Sequence, residues 1–174
     1  MVTVSAETSL SSSLDGTWVA LGRRAAYLCF PGISLAANGR KAQPRGALCH
    51  DLDLPIVDRR EQAVRLSVSR IGGKNSRRER RFTIRGELIT IVGRWHFEPL
   101  ETGVRVHLTL NYEIAPDLKK HAVNTLRSRS PLPIRTDADA ILDRAVDEFF
   151  QTRFAEQAAA YCERLRAHFD ARPV

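Results

Sequence analysis

The sequence predicts an α+β fold in which a curved, seven-stranded antiparallel sheet wraps a long C-terminal helix, with two short helices after the first strand. Three observations predict it. Apolar residues recur at a period of two from Ile33 to Ile114, they recur at helical spacing from Leu142 to Phe169, and the stretches between the alternating segments are short. Alternation of an apolar with a polar face belongs to an antiparallel sheet covered on one side, and short connections exclude parallel crossovers.

The elements follow in order. Val2, Val4 and Ala6 alternate and open a first strand over Val2 to Thr8. Ser11 to Ser13 offer an N-cap, with Ser12 and Asp15 spaced as a capping box, for a short helix carrying Trp18, Val19 and Leu21. Gly22 ends it. A second short helix over Arg23 to Phe30 stops at Pro31-Gly32, where fixed and free backbone meet in a turn.

Ile33, Leu35 and Ala37 then alternate up to the hairpin signal Asn38-Gly39. Leu48, His50, Leu52 and Leu54 share a face and end at Pro55. Val64, Leu66 and Val68 repeat the pattern before Gly72-Gly73. Phe82 and Ile84 follow, then Ile89, Ile91, Gly93, Trp95 and Phe97, then Val104, Val106, Leu108, Leu110, Tyr112 and Ile114. Arg94, His96, Glu98, Arg105, His107, Thr109, Asn111 and Glu113 fall on the opposite, solvated face. Gly86 and Gly93 mark bends. A sheet this long must curl, and its inner face needs a cover.

The cover is the C-terminal helix. Thr136 with Asp137 and Asp139 forms an acidic N-cap, and Leu142, Val146, Phe149, Phe150, Phe154, Ala158, Tyr161, Leu165 and Phe169 make one stripe. Arg164, Arg166 and His168 suit its negative end. A helix from Asp137 to Phe169 spans about 50 Å, enough to cross the sheet. Before it, the basic segment 116–135 contains Pro131 and Pro133 and a short helix near Leu118 to Leu126.

The 174 residues fit one domain, 1–174. No apolar run approaches the ~20 residues of a membrane span, and the N-terminus lacks a signal-peptide pattern, so the expected location is cytoplasmic. Cys29, Cys49 and Cys162 are an odd number without metal-type spacing and read as reduced thiols. The net charge of +7 is carried mainly by arginine. It permits an anionic protein or membrane partner through Lys74, Arg77, Arg78, Arg80, Arg81 and Arg85, whereas nucleic acid is disfavoured because aromatic stacking residues are not interleaved. A solvated basic loop and GC-biased codon usage are the plainer readings of the same arginines. No metal, cofactor, nucleotide or nucleophile motif occurs; Gly72-Gly73-Lys74 lacks the flanking pattern of a phosphate loop and reads as a turn. His96 and His107 share the outer face and read as surface histidines rather than a metal pair.

Several stretches resemble a known superfamily. Trp18-Val19-Ala20-Leu21 with Cys29-Phe30-Pro31-Gly32 resembles the first helical segment and "PG" turn of two groups, the polyketide cyclase-like proteins and the G-subunit-like proteins of carbon monoxide dehydrogenase. Gly103-Val104-Arg105-Val106 is similar to their "GTRV" strand, with Val in place of Thr. Asp147-Glu148-Phe149-Phe150 and Arg153-Phe154-Ala155-Glu156 are similar to the closing helix of the second group. Together with the element order, these resemble the START-like, or SRPBCC (Bet v 1-like), helix-grip superfamily over roughly Val2 to His168. The resemblance implies a hydrophobic small molecule, such as a lipid, an isoprenoid or an aromatic polyketide, held between sheet and C-terminal helix.

On that reading the lining comprises His50, Leu52, Phe82, Ile91, Trp95, Leu110, Tyr112, Val146, Phe149 and Phe150. His50, Trp95 and Tyr112 are the residues that bring polar atoms to the inner face, where burial disfavours a charged imidazole. Three functions stay open. The first is ligand binding without chemistry, which so sparsely polar a cavity favours. The second is a cyclase or dehydratase with His50 and Tyr112 as acid and base. The third is an assembly module using the basic surface, with a homodimer as a further arrangement. Core packing is the competing reading of each of these side chains.

Overall fold

The computed structural model describes residues 1–35, 47–70, 79–129 and 138–171. The chain runs β1 (Val2–Leu10), α1 (Leu14–Ala20), α2 (Arg24–Tyr27), β2 (Ile33–Leu35), β3 (Leu48–Leu54), β4 (Val57–Arg70), β5 (Glu79–Arg85), β6 (Ile89–Leu100), β7 (Gly103–Ile114), α3 (Pro116–Arg129) and α4 (Ala138–Asp170). The seven strands form one antiparallel sheet in the order β1-β7-β6-β5-β4-β3-β2. From β2 to β7 the strands pair with their sequence neighbours. The exception is β1, which sits at the far edge against β7, so α1 and α2 carry the chain from one edge of the sheet to the other.

Inner and outer faces follow the alternation. Ile84, Ile91 and Tyr112 form one cross-strand row with Leu66 and Val2, and Phe82 pairs with Gly93. Gly93 is required there: an added Cβ would lie 2.0 Å from the Phe82 ring. The glycine makes room for an aromatic side chain on the next strand. The Pro31-Gly32 turn forms as predicted, with Gly32 at φ 80°.

Four details differ from the sequence reading. Ser13, not Ser12, caps α1, accepting from Gly16 N at 3.1 Å, because Ser12 turns its hydroxyl to Thr17 at 2.7 Å. The second helix keeps four residues, and Leu28 to Phe30 continue in tighter i→i+3 turns. The strand expected over Val64–Val68 begins at Val57, immediately after the Pro55-Ile56 turn, with a register shift between Leu52 and Leu54. Arg80, expected on the basic surface, is buried; it has the parity of Phe82 and Ile84, and its guanidinium lies 4.2 Å over the Trp18 ring. The Asn38-Gly39 hairpin, the Thr136 cap and Lys74, Arg77 and Arg78 lie outside the described residues.

The cover is α4, 33 residues long and therefore about 50 Å. Its buried stripe is the predicted one with three changes. Phe149 is only half-buried, and Gln157 and Cys162 join the stripe. Most of its strand contacts are with β1, and Gln151 donates to Thr3 O at 3.1 Å. Among the described residues no helix is long and apolar enough to cross a membrane.

Candidate functional site

The inner face is first an aromatic assembly. Tyr112 of β7 lies flat on Phe154 of α4 with ring centres 3.8 Å apart, and Phe150 stands 5.5 Å further along the helix. Trp95 meets Tyr161 at 5.5 Å, Tyr161 meets Phe30 at 4.9 Å, and Phe82 meets Tyr27 at 4.8 Å. Large rings on β6, β7 and α4 thus occupy the space in which a cavity between sheet and helix was expected.

Polar atoms enter this assembly at few points. Tyr27 Oη donates to Leu21 O at 2.8 Å and Tyr161 Oη to Ala26 O at 3.3 Å. Burial pushes all three tyrosine hydroxyls well above their usual range, so each stays neutral. Tyr112 Oη is buried without a hydrogen-bond partner among the described residues. The Trp95 N–H lies close enough to Tyr27 to lower its pKa slightly but makes no bond of normal geometry.

His50 is set by Gln62. Gln62 Oε1 accepts from Leu88 N at 2.8 Å and Ile89 N at 3.2 Å, so the amide cannot be turned around without opposing like groups. Its Nε2 therefore faces Ile89 O at 3.2 Å and His50 Nδ1 at 3.5 Å. His50 Nδ1 is then an acceptor, and the ring proton is on Nε2, which is buried without a partner among the described residues. Burial pulls the His50 pKa down to about 4, partly opposed by the nearby Asp51 charge. At neutral pH His50 is an uncharged N–H donor. Gly86 protects this arrangement, since a Cβ there would lie 2.2 Å from Gln62 Oε1.

Open space lies beside the assembly rather than inside it. A cavity of about 980 Å³ is lined by Leu48, Val64, Leu66 and Val68, together with Gly22 and Arg24 of the short-helix segment and Arg65, Arg85, Gly86 and Glu87 of β4, β5 and the turn after β5. A cleft of about 330 Å³ lies between the Pro31-Gly32 turn, Asp51 and Asp53 of β3, and Arg153, Glu156, Gln157 and Arg164 of α4. Arg153 ties it together, reaching Glu156 at 3.0 Å and Asp53 at 3.5 Å. Gln157 Oε1 is buried at its wall without a partner among the described residues.

The outer face divides in two. His96 and His107 stand opposite each other, as the alternation predicts, with rings 6.0 Å apart. Each meets a carboxylate: His96 lies 3.7 Å from Glu79, and His107 lies 3.2 Å from Glu7 and 3.3 Å from Glu98. The His107 bond, then Arg105, holds the Glu98 carboxyl below its ordinary range. On the same face Arg65 stands opposite Arg85, and Arg81 opposite Arg94. None of the three cysteines forms a disulfide among the described residues, and burial pushes Cys162 up to about 11.

No family model matches this sequence, and no curated protein matches it. Solved structures do match. The Zhui aromatase/cyclase from Streptomyces sp. R1128 superposes with a TM-score of 0.57 at 12% identity, over 98% of this chain and 94% of that one. A START superfamily protein from Mycobacterium smegmatis gives 0.53 at 12% identity, over 97% of both chains. TTHA0849 from Thermus thermophilus gives 0.51 at 18% identity, over 95% and 98%. The chain has the START-like helix-grip fold.

Within the helix grip the sequence-predicted lining residues are brought together, but around one another. His50, Leu52, Phe82, Ile91, Trp95, Leu110, Tyr112, Val146 and Phe150 are buried, while Phe149 rides the edge, 5.7 Å from Phe150. None of them lines the 980 Å³ cavity, and no α4 residue is among its described lining. The reason is volume: Phe150, Phe154 and Tyr161 fill the grip, whereas the aliphatic Val64, Leu66 and Val68 do not. Gln62 and Gln157 are among the buried polar residues that the sequence reading does not single out. Gln62 shares the parity of Val64, and Gln157 lies between Phe154 and Tyr161 on the helix stripe, so both are within reach of the periodicity.

Proposed function

We propose that this protein binds a hydrophobic small molecule, a lipid, isoprenoid or aromatic polyketide-like compound, in the cavity beside the packed grip. The observation that carries the reading is the 980 Å³ cavity walled by Leu48, Val64, Leu66 and Val68. It has the size and apolar lining of small-molecule sites. The expected result is saturable binding of the uncharged fluorophore N-phenylnaphthylamine, with a blue-shifted emission, and a co-purifying ligand in native mass spectrometry. A protein that neither binds the fluorophore nor carries a ligand rules this function out.

The buried, partnerless atoms of His50 and Tyr112 favour a second reading, cyclase- or dehydratase-type chemistry on a polyketone. In that case His50 acts as a neutral donor that polarises a carbonyl, because its free nitrogen already holds the proton. It is not the general base. The outward arginines Arg81 and Arg94 support an anionic protein or membrane partner as an accessory role.

A further inference from the structure

The cleft between α4, β3 and the Pro31-Gly32 turn is separate from the large cavity; no described residue lines both. Its helical wall carries Arg153, Gln157, Ala160 and Arg164, spaced by three and four residues and therefore on one face of α4. Two polar atoms of this wall, Gln157 Oε1 and Arg153 Nε, are buried without a partner among the described residues. Gln157 is 8% exposed, so its amide is largely out of reach of bulk solvent. The rest of the Arg153 guanidinium is engaged: one terminal nitrogen reaches Glu156 at 3.0 Å and the other Asp53 O at 3.3 Å. Arg164 is exposed and makes no ion pair among the described residues. Its charge partly opposes the effect of burial on the Cys29 thiol, so it lies toward the chain entering the turn.

The unmatched atoms specify their complement. Gln157 Oε1 needs a donor, Arg153 Nε–H needs an acceptor, and their residues stand about one helical turn apart. An ammonium only donates, and Arg153 repels it. A carboxylate only accepts, and it opposes Gln157 Oε1. A hydroxyl does both. Helix side chains lean toward the N-terminus, which directs Arg164 back over the small Ala160 toward Gln157. Its planar fork matches a carboxylate in paired bonds. The acidic Asp51, Asp53 and Glu156 in the same lining disfavour a doubly charged phosphate. We propose that the cleft is a binding site for a short hydroxy acid, its hydroxyl between Gln157 and Arg153 and its carboxylate on Arg164 above Ala160. Such a ligand is polar and lies outside the grip, so the inference is independent of the hydrophobic-ligand reading.

An NMR titration reading the backbone amides of Gly32 and Ala160 tests it. The probes are β-hydroxybutyrate, butyrate, which lacks the hydroxyl, and methyl β-hydroxybutyrate, which lacks the charge. They are compared in the wild type, Gln157→Leu and Arg164→Gln. Leucine keeps the volume of Gln157 and removes an unmatched buried oxygen, so that variant should fold with a urea midpoint no lower than the wild type. Arg164 is exposed, and glutamine is tolerated there. In the wild type β-hydroxybutyrate should saturate the shifts, with butyrate and the ester each about tenfold weaker. Gln157→Leu should reduce the hydroxy acid to the affinity of butyrate, and Arg164→Gln to that of the ester. Equal binding of β-hydroxybutyrate and butyrate in the wild type overturns the proposal. So does a hydroxyl preference that survives Gln157→Leu, or a charge preference that survives Arg164→Gln. No saturable shift with any probe makes the cleft a solvated groove and equally overturns it.

Discussion

The inner face of the sheet has a filled half and an open half, and the two are made from different side chains. On β6 and β7 the inner face carries Trp95 and Tyr112, and α4 meets them with Phe154 and Tyr161, Phe150 stacking beside Phe154. Around β4 the corresponding positions are Val64, Leu66 and Val68, and among the described residues β3 pairs no further than Leu48 with Val64. Aromatic rings from both layers reach across the gap; aliphatic side chains facing a strand end do not. The filled half should therefore carry stability and the open half recognition.

The largest effect should come from breaking the filled half. Phe154→Ala removes the ring that covers Tyr112 and touches Phe150, and should cost about 3–5 kcal/mol. The measurement is the urea midpoint at unchanged slope. If Phe154→Ala costs no more than a substitution in the open half, the division of labour is wrong.

His50 supplies the next effect, because it lies on β3 where the halves meet. Its pKa is about 4 in the folded chain and about 6.5 when unfolded. Between those values the unfolded chain binds the proton and the folded chain does not. Stability is thus fully present above about pH 6.5 and is lost as pH falls through about 4, by roughly 2–3 kcal/mol at about pH 4.5. His50→Gln should flatten that part of the stability profile. Nitrogen NMR of the wild type should show a protonated Nε2 and a bare Nδ1 at neutral pH. A proton on Nδ1 would remove the role assigned to Gln62.

The smallest stability effect belongs to the open half. Leu66 is only half-buried, so Leu66→Ala should cost about 1 kcal/mol. Its fluorophore affinity should nevertheless fall several-fold. A large loss of stability with unchanged binding would make Leu66 a core residue and not a wall.

Much of this architecture is legible in the chain alone. The period of two assigns Trp95, Tyr112 and His50 to the inside and His96 and His107 to the outside, and the helical stripe from Leu142 to Phe169 names the cover. Where residue type and position disagree, position wins. Arg80 is charged and stands in a basic run, which argues for the surface, yet its parity with Phe82 points inward and it is buried. Gln62 is polar, which argues against the core, yet it shares the parity of Val64 and is buried with it.

The sequence by itself determined the faces, the order of the elements and the identity of the helix that closes the grip, because periodicity is a local property of the chain. Only the tertiary structure decided where the grip is full and where it is open. That depends on which rings from α4 meet which rings from β6 and β7, and on where β3 stops beside β4. Such contacts join residues far apart in sequence, as Tyr112 and Phe154 or Gln62 and Ile89 do, and no repeat in the chain encodes their meeting.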